Sequence, residues 1–407
     1  MEHKILIIDD DQSQLHLLKA GLAKRGYNVT TLSNPSDTLE HMAANKPDVV
    51  LVDLMMPETD GFAVMKNIKS QPEFADVKII VLSSKSFAHD ESRALSLGAN
   101  LYITKPVPFE VLKEKIDRIV SNTVVVKCWG ARGTYPTPQA EYLKYGGNTP
   151  CFSVEFSKGE TFIFDAGTGI INLGNSLASE KRKLKLNLLI SHPHWDHIQG
   201  FPFFKPAFMQ GNEIAVYGSA HGDISLLEVI SGQMESIYFP ITIREFASRL
   251  YFKEIREASQ TVDGISVKTI LLNHPGNTLG FRLTDNSGKS VAYITDNELP
   301  PKEMGGMDQF FRDKLVTFLK GVDLLIHDTT YFDEEYKSHV GWGHSPVSEV
   351  LGLARDAGAK SLCIFHHDPA HTDAMMDEMD AFAKKFVADN KLAMTICTAT
   401  EQTVFRI

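Results

Sequence analysis

A short run of histidine and aspartate carries the strongest chemical signal in the sequence. Residues 192–197 read His-Pro-His-Trp-Asp-His and follow an apolar run that is typical of a buried strand. His192 and His194 stand two positions apart, so an extended loop can direct both at one ion, while Asp196 and His197 face a second position. Neutral imidazoles and a carboxylate suit Zn²⁺, Mn²⁺ or Fe²⁺. The run therefore predicts a transition-metal site.

Further ligands for this site are expected near the ends of later strands. His274, Asp296 and His366 each follow an apolar, strand-like run. Each carries a side chain that commonly binds metal ions, so all three are candidates for the remaining positions.

A second group of polar residues lies in the first part of the chain and predicts different chemistry. Asp9, Asp10 and Asp53 end apolar runs, as do Ser83 and Lys105. Carboxylate oxygens are the ligands that Mg²⁺ prefers. A lysine and a hydroxyl can hold the oxygens of a phosphoryl group. Together these residues predict a site for Mg²⁺ and a phosphoryl group.

The elements around this second group indicate how its members meet. Amphipathic stretches with helical spacing alternate with five apolar runs, at residues 4–8, 28–32, 48–53, 77–82 and 100–103. This alternation predicts a five-stranded parallel sheet with helices on both faces. In such α/β sheets, functional residues gather at the carboxyl ends of the strands.

The motifs at these strand ends resemble the receiver domains of two-component response regulators, across the whole segment. The matching motifs lie at residues 8–11, 52–57, 60–61, 82–84 and 104–106. The resemblance implies a flavodoxin-like fold in which Asp53 accepts the phosphoryl group and Asp9, Asp10 and Asp53 bind Mg²⁺. By the same resemblance, Lys105 pairs with the phosphoryl group.

The resemblance also implies a switch and a partner. Ser83 would move toward the phosphoryl group and let Tyr102 change rotamer. A sensor histidine kinase or another phosphodonor would supply the group. Receiver surfaces of this kind often dimerise, so a homodimer is expected.

The rest of the chain resembles the metallo-β-lactamase superfamily, most closely the branch of tRNase Z-type ribonucleases and cyclic-phosphate phosphodiesterases. Three motifs carry this resemblance, at residues 129–136, 146–149 and 164–169, together with the histidine run. It implies an αβ/βα sandwich. One metal would take His192, His194, His274 and Asp296; the other would take Asp196, His197, Asp296 and His366.

Two features of this ligand set follow from the resemblance. Asp296 would bridge the two metals. His366 and His367 are both possible ligands, and His366 is preferred because it directly ends the strand; His367 would then lie behind it. Zn²⁺ is the first expectation for the metal, with Mn²⁺ or Fe²⁺ as alternatives.

A further pair of residues is implied to move a proton. In the ribonuclease branch, the histidine that matches His344 donates a proton and an acidic residue that matches Asp328 holds it. That branch often has glutamate at this position, and the shorter Asp328 can weaken or lengthen the contact. The alternative is a loop histidine with structural contacts alone.

The composition sets limits on the class of protein. The chain has 407 residues, which predicts two domains, and 43% of them are hydrophobic and 23% charged, which is typical of a globular protein. The motifs and resemblances described above place the domains at 1–122 and 123–407. The net charge of -10 argues against an extensive nucleic-acid surface. The apolar runs are too short to cross a bilayer, and the first residues enter a strand instead of a signal peptide. Four scattered cysteines predict buried thiols. We expect a cytoplasmic protein.

These observations predict a response regulator whose output is a dinuclear metal-dependent hydrolase. A phosphodiesterase on a small or cyclic phosphodiester is the first hypothesis, with Asp196, His344 and Asp328 in catalytic roles and Asp53 as the control point. Asp196 would orient the nucleophile while it binds metal. A thioester or lactone hydrolase on the same scaffold and a non-enzymatic, metal-stabilised output module are the alternatives.

Overall fold

The computed structural model describes residues 3–56, 60–84, 87–180 and 182–407. Pro57, part of one receiver-like motif, lies outside these residues. The chain forms two compact units. The first comprises residues 1–123 with 156–159, and the second comprises residues 124–155 with 160–407. The domain boundary after residue 122 stays a prediction.

The first unit contains a parallel sheet of five strands in the order β2-β1-β3-β4-β5. The strands are β1 Lys4–Ile8, β2 Asn28–Leu32, β3 Val49–Asp53, β4 Lys78–Ser83 and β5 Leu101–Thr104. Among the described residues of this unit, the α-helices that connect or follow the strands are α1 Gln12–Ala23, α2 Thr38–Asn45, α3 Gly61–Lys69, α4 Ala88–Ser96 and α5 Phe109–Ser121. Separate hydrophobic clusters cover the two faces of the sheet. The predicted flavodoxin-like fold is confirmed.

In the part of the second unit that the structure describes, one sheet has seven strands in the order β11-β10-β9-β8-β7-β6-β19. Its strands are β6 Val125–Gly130, β7 Cys151–Glu155, β8 Thr161–Phe164, β9 Lys185–Leu189, β10 Glu213–Gly218, β11 Arg249–Glu254 and, at the end of the chain, β19 Val404–Arg406. Strands β8 to β11 run parallel. The histidine run, residues 192–197, follows β9 and spans a loop and the start of a short helix.

The other sheet has the order β12-β13-β14-β15-β16-β17-β18. Its strands are β12 Ser259–Val262, β13 Ile265–Leu271, β14 Leu279–Thr284, β15 Ser290–Ile294, β16 Leu324–Asp328, β17 Ser361–Phe365 and β18 Thr395–Thr398. Strands β15 to β18 are parallel, so their carboxyl ends meet at one edge of the sheet.

The two sheets pack face to face through aromatic side chains. The rings of Phe164 and Tyr293 stack with centroids 4.7 Å apart, and Phe152 contacts Phe365 edge to face at 5.4 Å. Stacked and edge-to-face rings stabilise such contacts beyond the apolar area they bury.

In the part of the second unit that the structure describes, the helices are α6 Gly169–Ser179, α7 Trp195–Ile198, α8 Leu226–Gly232, α9 Gln309–Leu319, α10 Asp333–Tyr336, α11 Val347–Ala357 and α12 Asp373–Asp389. Helices α6 and α8 share one core with the first sheet, and α9, α11 and α12 share another with the second sheet. The predicted αβ/βα sandwich is confirmed.

Two expectations concern the chain as a whole. The four cysteines are free thiols, and burial raises the pKa of Cys128, Cys151 and Cys363 well above the ordinary thiol value. Among the residues that the structure describes, no helix combines the length and apolar character needed to span a bilayer.

Candidate functional site

Four predicted ligands meet at the ends of strands β9, β13 and β15. Ligand atoms of His192, His194, His274 and Asp296 all lie within 4.8 Å of one another. Oδ2 of Asp296 is 3.4 Å from Nε2 of His192 and 3.6 Å from Nε2 of His274. The four residues that the resemblance assigned to one ion therefore surround one position.

A second set lies directly beside the first. Ligand atoms of Asp196, His197 and His366 also lie within 4.8 Å of one another. Oδ1 of Asp296 is 3.2 Å from Nε2 of His197 and 3.2 Å from Nε2 of His366. Asp296 thus presents one carboxylate oxygen to each set, as a bridging ligand requires.

His366 and His367 point to different surroundings. Nε2 of His366 faces Asp196 and Asp296, whereas Nε2 of His367 is 2.8 Å from the carbonyl oxygen of Ala399. The backbone of His366 adopts a φ of 64°, which turns its side chain away from the direction of its neighbour. The geometry favours His366 as the ligand.

The side chains of these sets fit divalent metal ions, which the fold implies. Nε2 atoms of His192 and His197 are buried and have no hydrogen-bond partner among the described residues. A buried polar atom without a partner lowers the stability of the folded protein unless a ligand binds to that atom. Burial, aided by His197, lowers the pKa of His192 to about 4, which keeps its imidazole neutral as metal binding requires.

The charge of the site points the same way. Burial alone would lower the pKa of His197, but Asp196 and Asp296 outweigh it and raise that pKa well above its ordinary value. The two carboxylates therefore create an excess of negative charge inside the protein. Bound cations would neutralise this charge.

A buried carboxylate that we did not predict as a site residue orients His197. Oδ2 of Asp165 accepts hydrogen bonds from Nδ1 of His197 and from the hydroxyl of Tyr293, both at 2.7 Å. Its Oδ1 accepts from the backbone N–H of Ser191 at 2.7 Å. With its proton held on Nδ1, His197 presents Nε2 to the metal position.

Asp196 is held in a similar way by the loop that follows β6. Its Oδ2 accepts a hydrogen bond from the backbone N–H of Thr134 at 2.8 Å. The same atom is 3.2 Å from Nε2 of His197 and 3.3 Å from Nε2 of His366. The backbone of a distant segment thus fixes the carboxylate between two histidines.

His344 and Asp328 form the pair that the sequence indicated. Nδ1 of His344 is 2.9 Å from Oδ2 of Asp328, so the shorter acidic side chain makes a contact of ordinary length. The hydroxyl of Thr330 donates to Oδ1 of Asp328 at 2.6 Å, and the backbone N–H of Asn297 donates to its Oδ2 at 3.1 Å. These contacts keep the buried carboxylate in place.

His344 also lies against the metal-binding sets. Its ring centroid is 4.8 Å from that of His366 and 5.4 Å from that of His274, and it shares a possible ligand set with Asp296 and His366. Burial lowers its pKa, but Asp328 outweighs burial and raises it to about 9. The protonated imidazole that this favours can donate a proton and cannot bind metal.

The two sets differ in their access to solvent. Asp196, His197 and His366 are buried, whereas His194 is exposed. We call the set of His192, His194, His274 and Asp296 the open set. Two aromatic side chains next to it are exposed as well, Trp195 by 79% and Trp342 by 62%. The site is therefore open to solvent on the side of His194.

The first unit brings its predicted residues together at the carboxyl edge of its sheet. Nζ of Lys105 is 2.8 Å from Oδ1 of Asp53 and 2.9 Å from Oδ2 of Asp9. Asp9 and Asp53 are buried, and Asp10 beside them is exposed. The cluster leaves Asp53 next to a cation and to two further carboxylates.

The two predicted switch residues are neighbours of this cluster. Ser83 ends β4 and is buried, and Tyr102 lies on β5. Burial raises the pKa of Tyr102, while a hydrogen bond with Ser83 opposes that shift. A change at Ser83 can therefore reach Tyr102 directly.

Family models match both parts of the chain. Residues 5–117 match the response regulator receiver domain, and residues 160–367, more than half of the chain, match the beta-lactamase superfamily domain. A receiver domain implies a phosphodonor such as a histidine kinase.

Individual proteins give more detail for the first part. The transcriptional regulatory protein KdpE of Staphylococcus aureus is 39% identical over 116 residues, which are 28% of this chain and 49% of KdpE. Protein PilH of Pseudomonas aeruginosa is 32% identical over 118 residues, which are 29% of this chain and 98% of PilH. The chain spans about half the length of several curated relatives that it matches.

A solved structure matches the second part. The metallo-beta-lactamase fold protein YhfI of Bacillus subtilis superimposes with a TM-score of 0.51 and 17% identity. The match covers 70% of this chain and 100% of YhfI. At this identity it shows likeness of fold alone.

Proposed function

Because the chain belongs to the beta-lactamase superfamily and carries an N-terminal response-regulator receiver domain, we propose that it is a phosphorylation-controlled phosphodiesterase. Its substrate is a small or cyclic phosphodiester, and its centre holds two divalent metal ions. The ligands of one ion are His192, His194, His274 and Asp296; those of the other are Asp196, His197, Asp296 and His366.

The observation that carries this proposal is the contact between His344 and Asp328 beside both ligand sets. Cleavage of a phosphodiester leaves an alkoxide, which needs a proton. Asp328 holds the proton on Nδ1 of His344 and so directs Nε2 toward the centre. General acid catalysis of this kind contributes about 10²–10⁴ in rate.

The residues of the centre divide the remaining work. Two divalent ions would supply a nucleophile at neutral pH and stabilise the charge that develops on the phosphoryl oxygens. Asp196, fixed by the N–H of Thr134, orients the attacking group. His344 donates its proton to the leaving oxygen.

The segment 201–260 supports a small substrate over structured RNA. Its acidic residues outnumber its basic ones, so it offers little attraction to a phosphate backbone. Phe201, Phe204 and Phe246 are packed in the core of the unit, whereas Phe203 and Tyr238 are exposed. The aromatic residues of this segment are thus mostly structural.

The receiver domain supplies the control. A phosphoryl group on Asp53 adds negative charge beside Lys105 and biases the surface that includes Ser83 and Tyr102. In this proposal, Mg²⁺ is held by Asp9, Asp10 and Asp53, and phosphorylation changes the association of the chain into a homodimer.

The proposed activity can be tested with metal analysis and two kinds of substrate. We expect about two transition-metal ions per chain. We also expect hydrolysis of bis-p-nitrophenyl phosphate or of a cyclic nucleotide, and loss of both activities in Asp196→Ala. A protein that holds two ions but hydrolyses thioesters or lactones instead would contradict the phosphodiesterase proposal. Absence of bound metal under every loading condition would favour a non-enzymatic output module.

A further inference from the structure

The loop that carries His344 also contacts a ligand of the open metal set. Residues 341–344, the 341–344 loop, contain two glycines with a φ of 84°, Gly341 and Gly343. The carbonyl oxygen of Gly343 is 3.0 Å from Nδ1 of His274. This loop therefore places the proton donor His344 and also fixes the proton of His274 on Nδ1, which leaves Nε2 for the metal position.

A single buried carboxylate holds this loop. Oε1 of Glu298 accepts hydrogen bonds from the backbone N–H of Gly341 at 2.6 Å and from the hydroxyl of Tyr336 at 2.7 Å. Its Oε2 accepts from the backbone N–H of Gly343 at 3.1 Å. The two backbone contacts lie on either side of Trp342, whose side chain is exposed. A loop with an exposed tryptophan at its centre is thus anchored through its own backbone amides.

Glu298 is itself fixed to the strand ends that carry metal ligands. It follows the bridging Asp296 by two residues. Its backbone N–H donates to the carbonyl oxygen of Asn273 at 3.0 Å, and its carbonyl oxygen accepts from Nδ2 of Asn273 at 2.9 Å. Asn273 directly precedes His274. Glu298 therefore connects the 341–344 loop to the same backbone segments that position Asp296 and His274.

We propose that Glu298 is a positioning residue for catalysis: its carboxylate holds the 341–344 loop so that His344 faces the leaving oxygen. This inference rests on the proposed phosphodiesterase function. Carboxylate bonds to backbone N–H groups are charge-assisted and stronger than neutral ones. A displacement of a catalytic group by about 1 Å can cost about 10²-fold in rate.

The variant Glu298→Gln tests the carboxylate without changing its size. The backbone N–H groups of Gly341 and Gly343 can donate hydrogen bonds but cannot accept them, and they face different oxygens of Glu298. A glutamine must present its NH₂ group to one of them, so one anchor fails in either orientation. The control is Glu334→Gln, an exposed glutamate of α10 that pairs with Lys337.

The kinetic readout compares two diesters that differ in leaving group. Diphenyl phosphate releases a more basic phenolate than bis-p-nitrophenyl phosphate and so depends more on a proton from His344. For Glu298→Gln we expect kcat to fall by up to about 10²-fold on diphenyl phosphate and much less on bis-p-nitrophenyl phosphate. The ratio is measured on one protein sample, so loss of metal or of folded protein cancels. Glu334→Gln should keep the wild-type ratio.

A second readout does not depend on activity. Hydrogen exchange measured by mass spectrometry should be faster in Glu298→Gln than in wild type at the amide of Gly341 or of Gly343, whichever loses its acceptor. Should Glu298→Gln fail to fold, Tyr336→Phe removes one contact to the same carboxylate and should change the kinetic ratio in the same direction by less.

The outcomes separate this proposal from the proposed function. Equal losses on both diesters, or unchanged exchange at the two glycines, would overturn the role of Glu298. If the wild type cleaves neither diester, the phosphodiesterase proposal fails, and the exchange measurement still decides whether Glu298 holds the loop.

Discussion

The contacts of Asp165 lead to a prediction that can be worked out atom by atom. In Asp165→Asn the side chain keeps its size but loses its charge and one acceptor oxygen. Two groups that can act as donors face different oxygens of Asp165: the backbone N–H of Ser191 faces Oδ1, and Nδ1–H of His197 faces Oδ2. The NH₂ group of an asparagine must meet one of them.

The two orientations of the asparagine have different consequences. With NH₂ toward Ser191, a buried donor is left without an acceptor, which costs about 1–3 kcal/mol of the free energy of unfolding. With NH₂ toward His197, Nδ1 must accept, and the ring proton moves to Nε2. Nε2 is the atom that faces Asp196 and Asp296, so His197 then cannot bind metal. Loss of such an orienting contact typically weakens metal binding by about 10–100-fold.

Two measurements test this prediction, a metal competition with a chromophoric chelator and thermal denaturation of the metal-free protein. We expect Asp165→Asn to lose metal at lower chelator concentrations than wild type, to melt at a lower temperature, or both. The control is Asp263→Asn, an exposed residue that accepts hydrogen bonds from Lys185 and Asn187 and should behave as wild type. Unchanged metal affinity together with unchanged stability would refute the reasoning.

Two further predictions concern the loop after β6 and the receiver domain. In Gly133→Ala the new Cβ would lie 2.5 Å from the ring of His366, so we expect weaker metal retention and at least about 10-fold slower hydrolysis, whereas Gly232→Ala, with open space around it, should match wild type in both assays. Asp53→Asn removes the phosphoacceptor, so a small-molecule phosphodonor should phosphorylate the wild type but not the variant. The phosphodonor should likewise change the hydrolysis rate and the oligomeric state of the wild type and leave those of the variant unchanged. Equal responses of the two proteins would count against control by phosphorylation of Asp53.

The candidate metal ligands could be predicted because their signal is local, whereas their division into two sets came from the family resemblance. His274, Asp296 and His366 each follow an apolar run, and parallel strands bring such positions to one edge of a sheet. Sequence reasoning therefore needed the type of each residue and its place near the end of a strand. The same logic brought Asp9, Asp53 and Lys105 together.

The residues that orient the ligands were harder to predict, because their partners are distant in sequence. Asp165 also ends an apolar strand, β8, and this signal could have marked it. Its contact with Tyr293, 128 positions away, follows from the packing of two sheets and has no local pattern. Glu298 acts through backbone amides of Gly341 and Gly343, and amides are the same in every sequence. Such roles become visible with the tertiary structure.

Tyr293 takes part both in the packing between the two sheets and in the orientation of a metal-binding residue. Its ring stacks on Phe164 between the sheets, and its hydroxyl donates to Asp165, which orients His197. A substitution there alters interior packing and the surroundings of the metal-binding residues in one step. Phenylalanine would preserve the ring but leave Asp165 with one donor fewer. A substitution of Tyr293 should therefore have wider effects than a substitution of a neighbour that contributes packing alone.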